Sequence, residues 1–103
     1  VIAMPPSGLK DFYWRIIQKD ESLVTIVLRD RAVNILKRIT FYDDYSQLME
    51  SPVNEENEHL YLEGIRADME YFGRTFTRAK HQYRINGKSA IEVADALLDL
   101  VTM

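Results

Sequence analysis

The amino-acid sequence predicts an all-α fold, a bundle of four helices, or five if the second is broken. Its frame is a long antiparallel helix hairpin. Three observations predict it. Within residues 54–87, Tyr61, Ile65, Phe72, Phe76, Ala79 and Tyr83 recur at steps of three, four or seven, one face of a helix. Within 22–50, Val24, Leu28, Ala32, Ile35, Ile39, Tyr42, Tyr45 and Met49 keep the same spacing. Between them stands Ser51-Pro52-Val53-Asn54, where Pro52 stops one helix and Asn54 starts the next. A link this short makes the two helices antiparallel neighbours.

Val1 to Pro6 reads as an extended lead-in, because Pro5-Pro6 disfavours helix before it. Ser7 can cap a first helix whose stripe is Leu9, Phe12, Tyr13, Ile16 and Ile17. Trp14 falls off that stripe, either as a boundary residue half covered by the fold or as an anchor for a partner.

Ser22 can cap the second helix, 22–50. Two features weaken its continuity. Leu23 to Leu28 is a β-branched apolar run that also suits a buried strand. Thr40 to Asp44 has poor helix propensity, and Asp43 or Asp44 can cap a fresh helix there.

The third helix, 54–87, carries glutamates at its start (Glu55, Glu56, Glu58, Glu63). Arg74, Arg78, Lys80 and Arg84 crowd its end, and both biases suit the macrodipole. Gly87, after Asn86, can take the left-handed conformation that ends a helix. On this reading, Asp68 faces the core and lies level with Arg38 across the hairpin, so the two are expected to pair.

Ser89-Ala90-Ile91-Glu92 is a capping-box pattern opening a last helix, 89–102. Its polar residues, Glu92, Asp95, Asp99 and Thr102, form one thin stripe. The rest is apolar, so the helix is expected to be covered on most sides, centrally or by another subunit. Trp14, Leu97, Leu98, Leu100 and Val101 are the candidate interface.

The totals bound the function classes. A chain of 103 residues is one domain by length, read here as a single helical domain over 1–103. At 47% hydrophobic it has enough apolar material for a core. A net charge of −3 argues neither for a global nucleic-acid binder nor for an acidic tail. With no cysteine, thiolate nucleophiles, disulfides and cysteine-held metals are excluded. No apolar run approaches the ~20 residues of a membrane span, so a soluble chain is expected, in a compartment the sequence does not fix. The chain begins at Val1 rather than Met, as a processed product or a piece of a longer chain would.

Chemistry-bearing patterns are sparse. Glu56-x-x-His59 has the form used in di-metal carboxylate bundles. His81 has no matching glutamate, and His59 lies opposite the apolar stripe, so a solvated helix face is expected and no metal or cofactor. Asp43-Asp44 are adjacent and diverge on a helix, so they read as caps. The glycines are too scattered to cradle a phosphate. Arg74, Arg78, Lys80, His81, Arg84 and Lys88 form the densest basic region. It reads as a solvated helix end, or as a patch for an anion or an acidic partner.

The expected function is therefore a non-enzymatic helical protein-interaction module: an adaptor, a chaperone-like protein or a regulatory subunit, self-associating as a homodimer or larger. The alternative is a nucleic-acid-associated regulator using the basic end around 74–88. A third reading is an enzyme whose site is shared between subunits or with further chain.

Overall fold

A computed structural model describes residues 1–102 of the chain. Its fold is mixed α/β, which overturns the all-α expectation. Pro6–Leu9 forms a 3-10 turn and α1 follows at Asp11–Ile17. Strand β1 is Ile26–Arg29 and α2 is Ala32–Arg38. A small hairpin of β2 (Phe41–Tyr42) and β3 (Leu48–Met49) leads to α3 (Glu58–Phe76). Strand β4 is His81–Arg84 and α4 is Ala90–Thr102. β1 pairs parallel to β4, with Ile26 opposite His81 and Arg29 opposite Arg84. β2 and β3 pair antiparallel, Phe41 opposite Met49.

The helix expected over 22–50 does not form. Val24, Thr25, Ile26 and Val27 are all β-branched, stiff at χ1 and suited to a pleated surface. A partner strand more than fifty residues later supplies their ladder, and no local spacing reveals it. Only Ala32–Arg38 keeps helical form, burying Ala32 and Leu36. The weakness at 40–44 is real. The Asp43 carboxylate accepts the N–H groups of Tyr45 (2.9 Å) and Gln47 (3.0 Å), and Ser46 turns at φ 60°. A capped hairpin turn stands there instead of a fresh helix.

The helix expected over 54–87 is shorter at both ends. Asn54 caps a preceding turn, its side chain accepting from the N–H of Glu56 and of Asn57. At the far end, the Thr75 and Thr77 hydroxyls donate to the carbonyls of Phe72 and Arg74. Beyond, His81 to Arg84 alternate between half-buried and exposed, the two-residue period of a strand. Asn86 (φ 52°) and Gly87 (φ 71°) are left-handed as expected, but they end β4 instead of a helix. With no hairpin, Asp68 is exposed on α3 and Arg38 donates to the Lys88 carbonyl. The expected Arg38–Asp68 pair is not made, because the register that placed the two level does not exist.

No helix enters Pro52, because the strand β3 precedes it, whereas α4 stands with its capping box. Ser89 N–H donates to the Glu92 carboxylate, and Glu92 N–H to the Ser89 hydroxyl, both at 3.2 Å. Central burial of α4 within the chain is not found. Of its thirteen residues only Val93 is buried.

The main core is Leu9, Val27 and Ala79, with Trp14, Ile17 and Phe76 packed against it. Helix α3 lies against α2 and the 3-10 turn. The stripe Tyr61, Ile65, Phe72 and Phe76 is the half-buried side of α3. The chain exposes 8387 Å². A folded monomer of 12.1 kDa exposes roughly 6,000 Å². The radius of gyration, 15.8 Å, likewise exceeds the ~13 Å of a compact domain of this length.

Gly87 supplies one test of the turn after β4. A Cβ there meets only the Asn34 amide at ordinary contact distance (3.6 Å), so strain from the positive φ decides the outcome. Gly87→Ala is expected to cost about 1 kcal/mol in urea unfolding, with the fold retained.

Candidate functional site

The parallel pairing brings the ends of β1 and β4 side by side. Past the register pair Arg29–Arg84, the Ile85 N–H donates to the Arg29 carbonyl at 2.7 Å. The chain then leaves β1 into α2 and leaves β4 through Asn86-Gly87 into α4.

Asp30 ties these exits together. It is the one buried polar residue among the described residues, at 5% exposure. One carboxylate oxygen accepts the Arg31 N–H and the Asn34 side-chain amide, each at 2.8 Å. The other accepts the Gly87 N–H at 3.1 Å. The Asn34 hydrogen bond above all holds the carboxyl below its ordinary pKa. The two backbone donors and the Arg38 charge act with it, against the upward push of desolvation.

Beside this knot lies a cavity of about 430 Å³, lined by Asn34, Lys37, Arg38, Gly87, Lys88, Ser89 and Glu92. Three lining residues are cationic and one is anionic. Glu92 is committed to the capping box, and its hydrogen bonds from Ser89, backbone first, hold its carboxyl low. The Lys88 ammonium donates to the Tyr83 hydroxyl at 3.0 Å, which raises its pKa and keeps it charged. Arg38 bridges from α2 to the Lys88 carbonyl. Lys37 and Arg38 from α2 and Lys88 from the β4–α4 turn thus line one cleft.

The basic residues expected to form one patch at 74–88 are divided by the fold. Arg74 stands exposed on α3. Arg78 donates to the Leu9 carbonyl and pairs with Asp11 at 2.8 Å, which lowers the Asp11 pKa through that hydrogen bond first. With Lys80, Arg78 lines a second cavity of about 490 Å³ near the start of β1, together with Trp14, Ile17 and Thr25. His81 and Arg84 lie on β4, and Lys88 reaches the carboxyl-end cavity. A strand advances about 3.3 Å per residue against 1.5 Å for a helix, so a basic cluster along one helix end becomes two separate sites.

The candidate interface is also divided. Trp14 is half-buried against the core, with the Arg78 guanidinium 5.9 Å from its ring centre. Leu97 and Leu100 are half-buried, whereas Leu98 and Val101 are exposed. Asp30, Asn34 and Lys37 were not singled out by sequence reasoning. The one available signal was the β-branched run before Asp30, which marks that aspartate as the residue leaving a strand.

Comparison of the chain with known families, with curated proteins and with solved structures finds no match.

Proposed function

We propose that the chain binds a small anionic ligand at the carboxyl end of its parallel strands. The observation that carries this reading is that Lys37, Arg38 and Lys88 line one cleft beside the Asp30 knot. In open α/β sheets, ligands lie outside the carboxyl ends of the strands, where the chain diverges into helices. The cleft is open to solvent, about 430 Å³ in volume, and suits a small polar anion better than an apolar ligand. Division of the basic residues at 74–88 leaves a nucleic-acid strand no continuous stripe to follow.

Phosphate and pyrophosphate are the probes. Amide signals of Gly87 and Ser89 are expected to move on titration with either anion. The double variant Lys37→Gln, Lys88→Gln is expected to weaken binding about tenfold or more, since it removes two charge-assisted contacts. Equal affinity for the double variant, or motionless Gly87 and Ser89 signals at saturating anion, would refute the site.

A second reading keeps the chain as a non-enzymatic, self-associating interaction module, as an adaptor, a chaperone-like protein or a regulatory subunit is. The specific observation favouring it is the 8387 Å² of exposed surface. Ile91, Leu98 and Val101 of α4 belong to that surface. Large apolar side chains left exposed on one helix are the kind of surface that contacts another macromolecule.

A further inference from the structure

Helix α4 carries two apolar strips, and the chain itself uses one of them. Val93 is buried, and Ala96, Leu97 and Leu100 are half-buried beside it, so this strip faces the chain. The other strip is Ile91, Ala94, Leu98 and Val101. Its steps of three, four and three are the a and d positions of a heptad, the seam along which one helix packs on another. Among the described residues this seam is left open. Ala94 is exposed, and Ile91, Leu98 and Val101 are 76%, 60% and 45% exposed.

The charge beside the seam is of one sign. Glu92, Asp95 and Asp99 are the charged residues of α4, which has no Lys or Arg. Glu92 is committed to the capping box. Asp95 and Asp99 are exposed and make no ion pair among the described residues. At about 100° per residue, they lie on the strip next to Ile91 and Leu98. Two features make this arrangement unfavourable for α4 alone. Asp95 and Asp99 stand one turn apart on the same side, where like charges repel. Asp99 also stands in the last turn, where the macrodipole favours a cation and α4 supplies none. Cations docked along the seam relieve both.

We infer that α4 docks a cationic amphipathic helix of another protein along Ile91, Ala94, Leu98 and Val101, with that partner's lysines or arginines against Asp95 and Asp99. Recognition of one amphipathic helix by another reads apolar anchors at helical spacing, which the open seam presents. Charge complementarity selects the partner. A second copy of α4 brings the same carboxylates and no cation. An anionic lipid surface attracts basic segments and meets repulsion here. The inference rests on the interaction-module reading and names its partner as a different, basic chain.

The test uses the full chain and a two-heptad peptide with leucine at a and d and lysine elsewhere. A matched peptide carries glutamate in place of lysine. The amide signals of Ala94, Leu98 and Val101 are expected to move with the lysine peptide and not with the glutamate peptide. The affinity for the lysine peptide should fall as salt rises. Asp95→Lys combined with Asp99→Lys should weaken the lysine peptide at least tenfold and admit the glutamate peptide. If that variant loses helix by circular dichroism, Asp95→Asn combined with Asp99→Asn replaces it and should abolish the preference for lysine. Equal binding of the two peptides, or signals that move only outside α4, would overturn the cationic partner and leave the interaction-module reading standing. So would failure of both peptides with α4 signals that shift with protein concentration, which would give the seam to a second copy. Failure of both peptides with a monomer at every concentration would overturn the interaction-module reading itself.

Discussion

Leu9→Ala is expected to destabilise the chain by about 2–4 kcal/mol, read as a lower midpoint in urea with an unchanged slope. Leu9 is 8% exposed and sits with Val27 and Ala79 in the main core, where Trp14, Ile17 and Phe76 close around it. Truncation leaves a void between the 3-10 turn, β1 and the end of α3, and three separate segments lose their common contact. Total stabilities of small domains are about 5–15 kcal/mol, so one methyl-rich side chain carries a large share. Leu98→Ala is the matched comparison. Leu98 is 60% exposed on α4, and its loss is expected to cost less than about 0.5 kcal/mol. Equal costs at the two positions would mean that α4 packs in solution as tightly as the 3-10 turn does.

Asp30→Asn is expected to lower Tm at neutral pH by on the order of 5 °C and to flatten the acid limb of the stability profile. The carboxylate accepts three hydrogen bonds, from Arg31, Asn34 and Gly87, and so joins β1, α2 and the β4–α4 turn. An asparagine directs N–H groups at donors that need an acceptor. The sign of the pH effect follows from the lowered folded pKa, whose largest cause is the Asn34 hydrogen bond. The stabilisation is whole above the unfolded value, ~3.9, and is lost as pH falls through the lower folded value. Thermal melts between pH 7 and strongly acid solution measure both effects. A variant with the wild-type acid limb would show that Asp30 does not titrate with folding.

Several features were readable from residue order alone, and each depends on neighbours within a few positions. Pro52 lacks an N–H to donate to a helix or a ladder, and it stands in the link between β3 and α3. Ser89 and Glu92 form their reciprocal cap within a single turn. Asn86-Gly87 takes the left-handed turn that its residue types allow. The side of α3 bearing Tyr61, Ile65, Phe72 and Phe76 is the half-buried side that its spacing marks.

The candidate site was much less readable. Residue order sets Arg38 against Asp68, a pairing that requires a helix hairpin. Lys88 reads as one of six basic residues on a single helix end. Their meeting at one cavity depends on β1 lying parallel to β4, so that Asp30 and Gly87 come within hydrogen-bond distance across 57 positions.

Residue order alone settles the local features: the link at Pro52, the left-handed turn at Asn86-Gly87, the start of α4 and the apolar side of α3. The state of Val24–Leu28 and of His81–Arg84 is set by long-range pairing. Both segments fit a helical spacing when counted along the chain. A strand, unlike a helix, satisfies its backbone groups on a neighbour, and here that neighbour lies more than fifty residues away. The choice between the two states therefore rests on a partner that no local window contains.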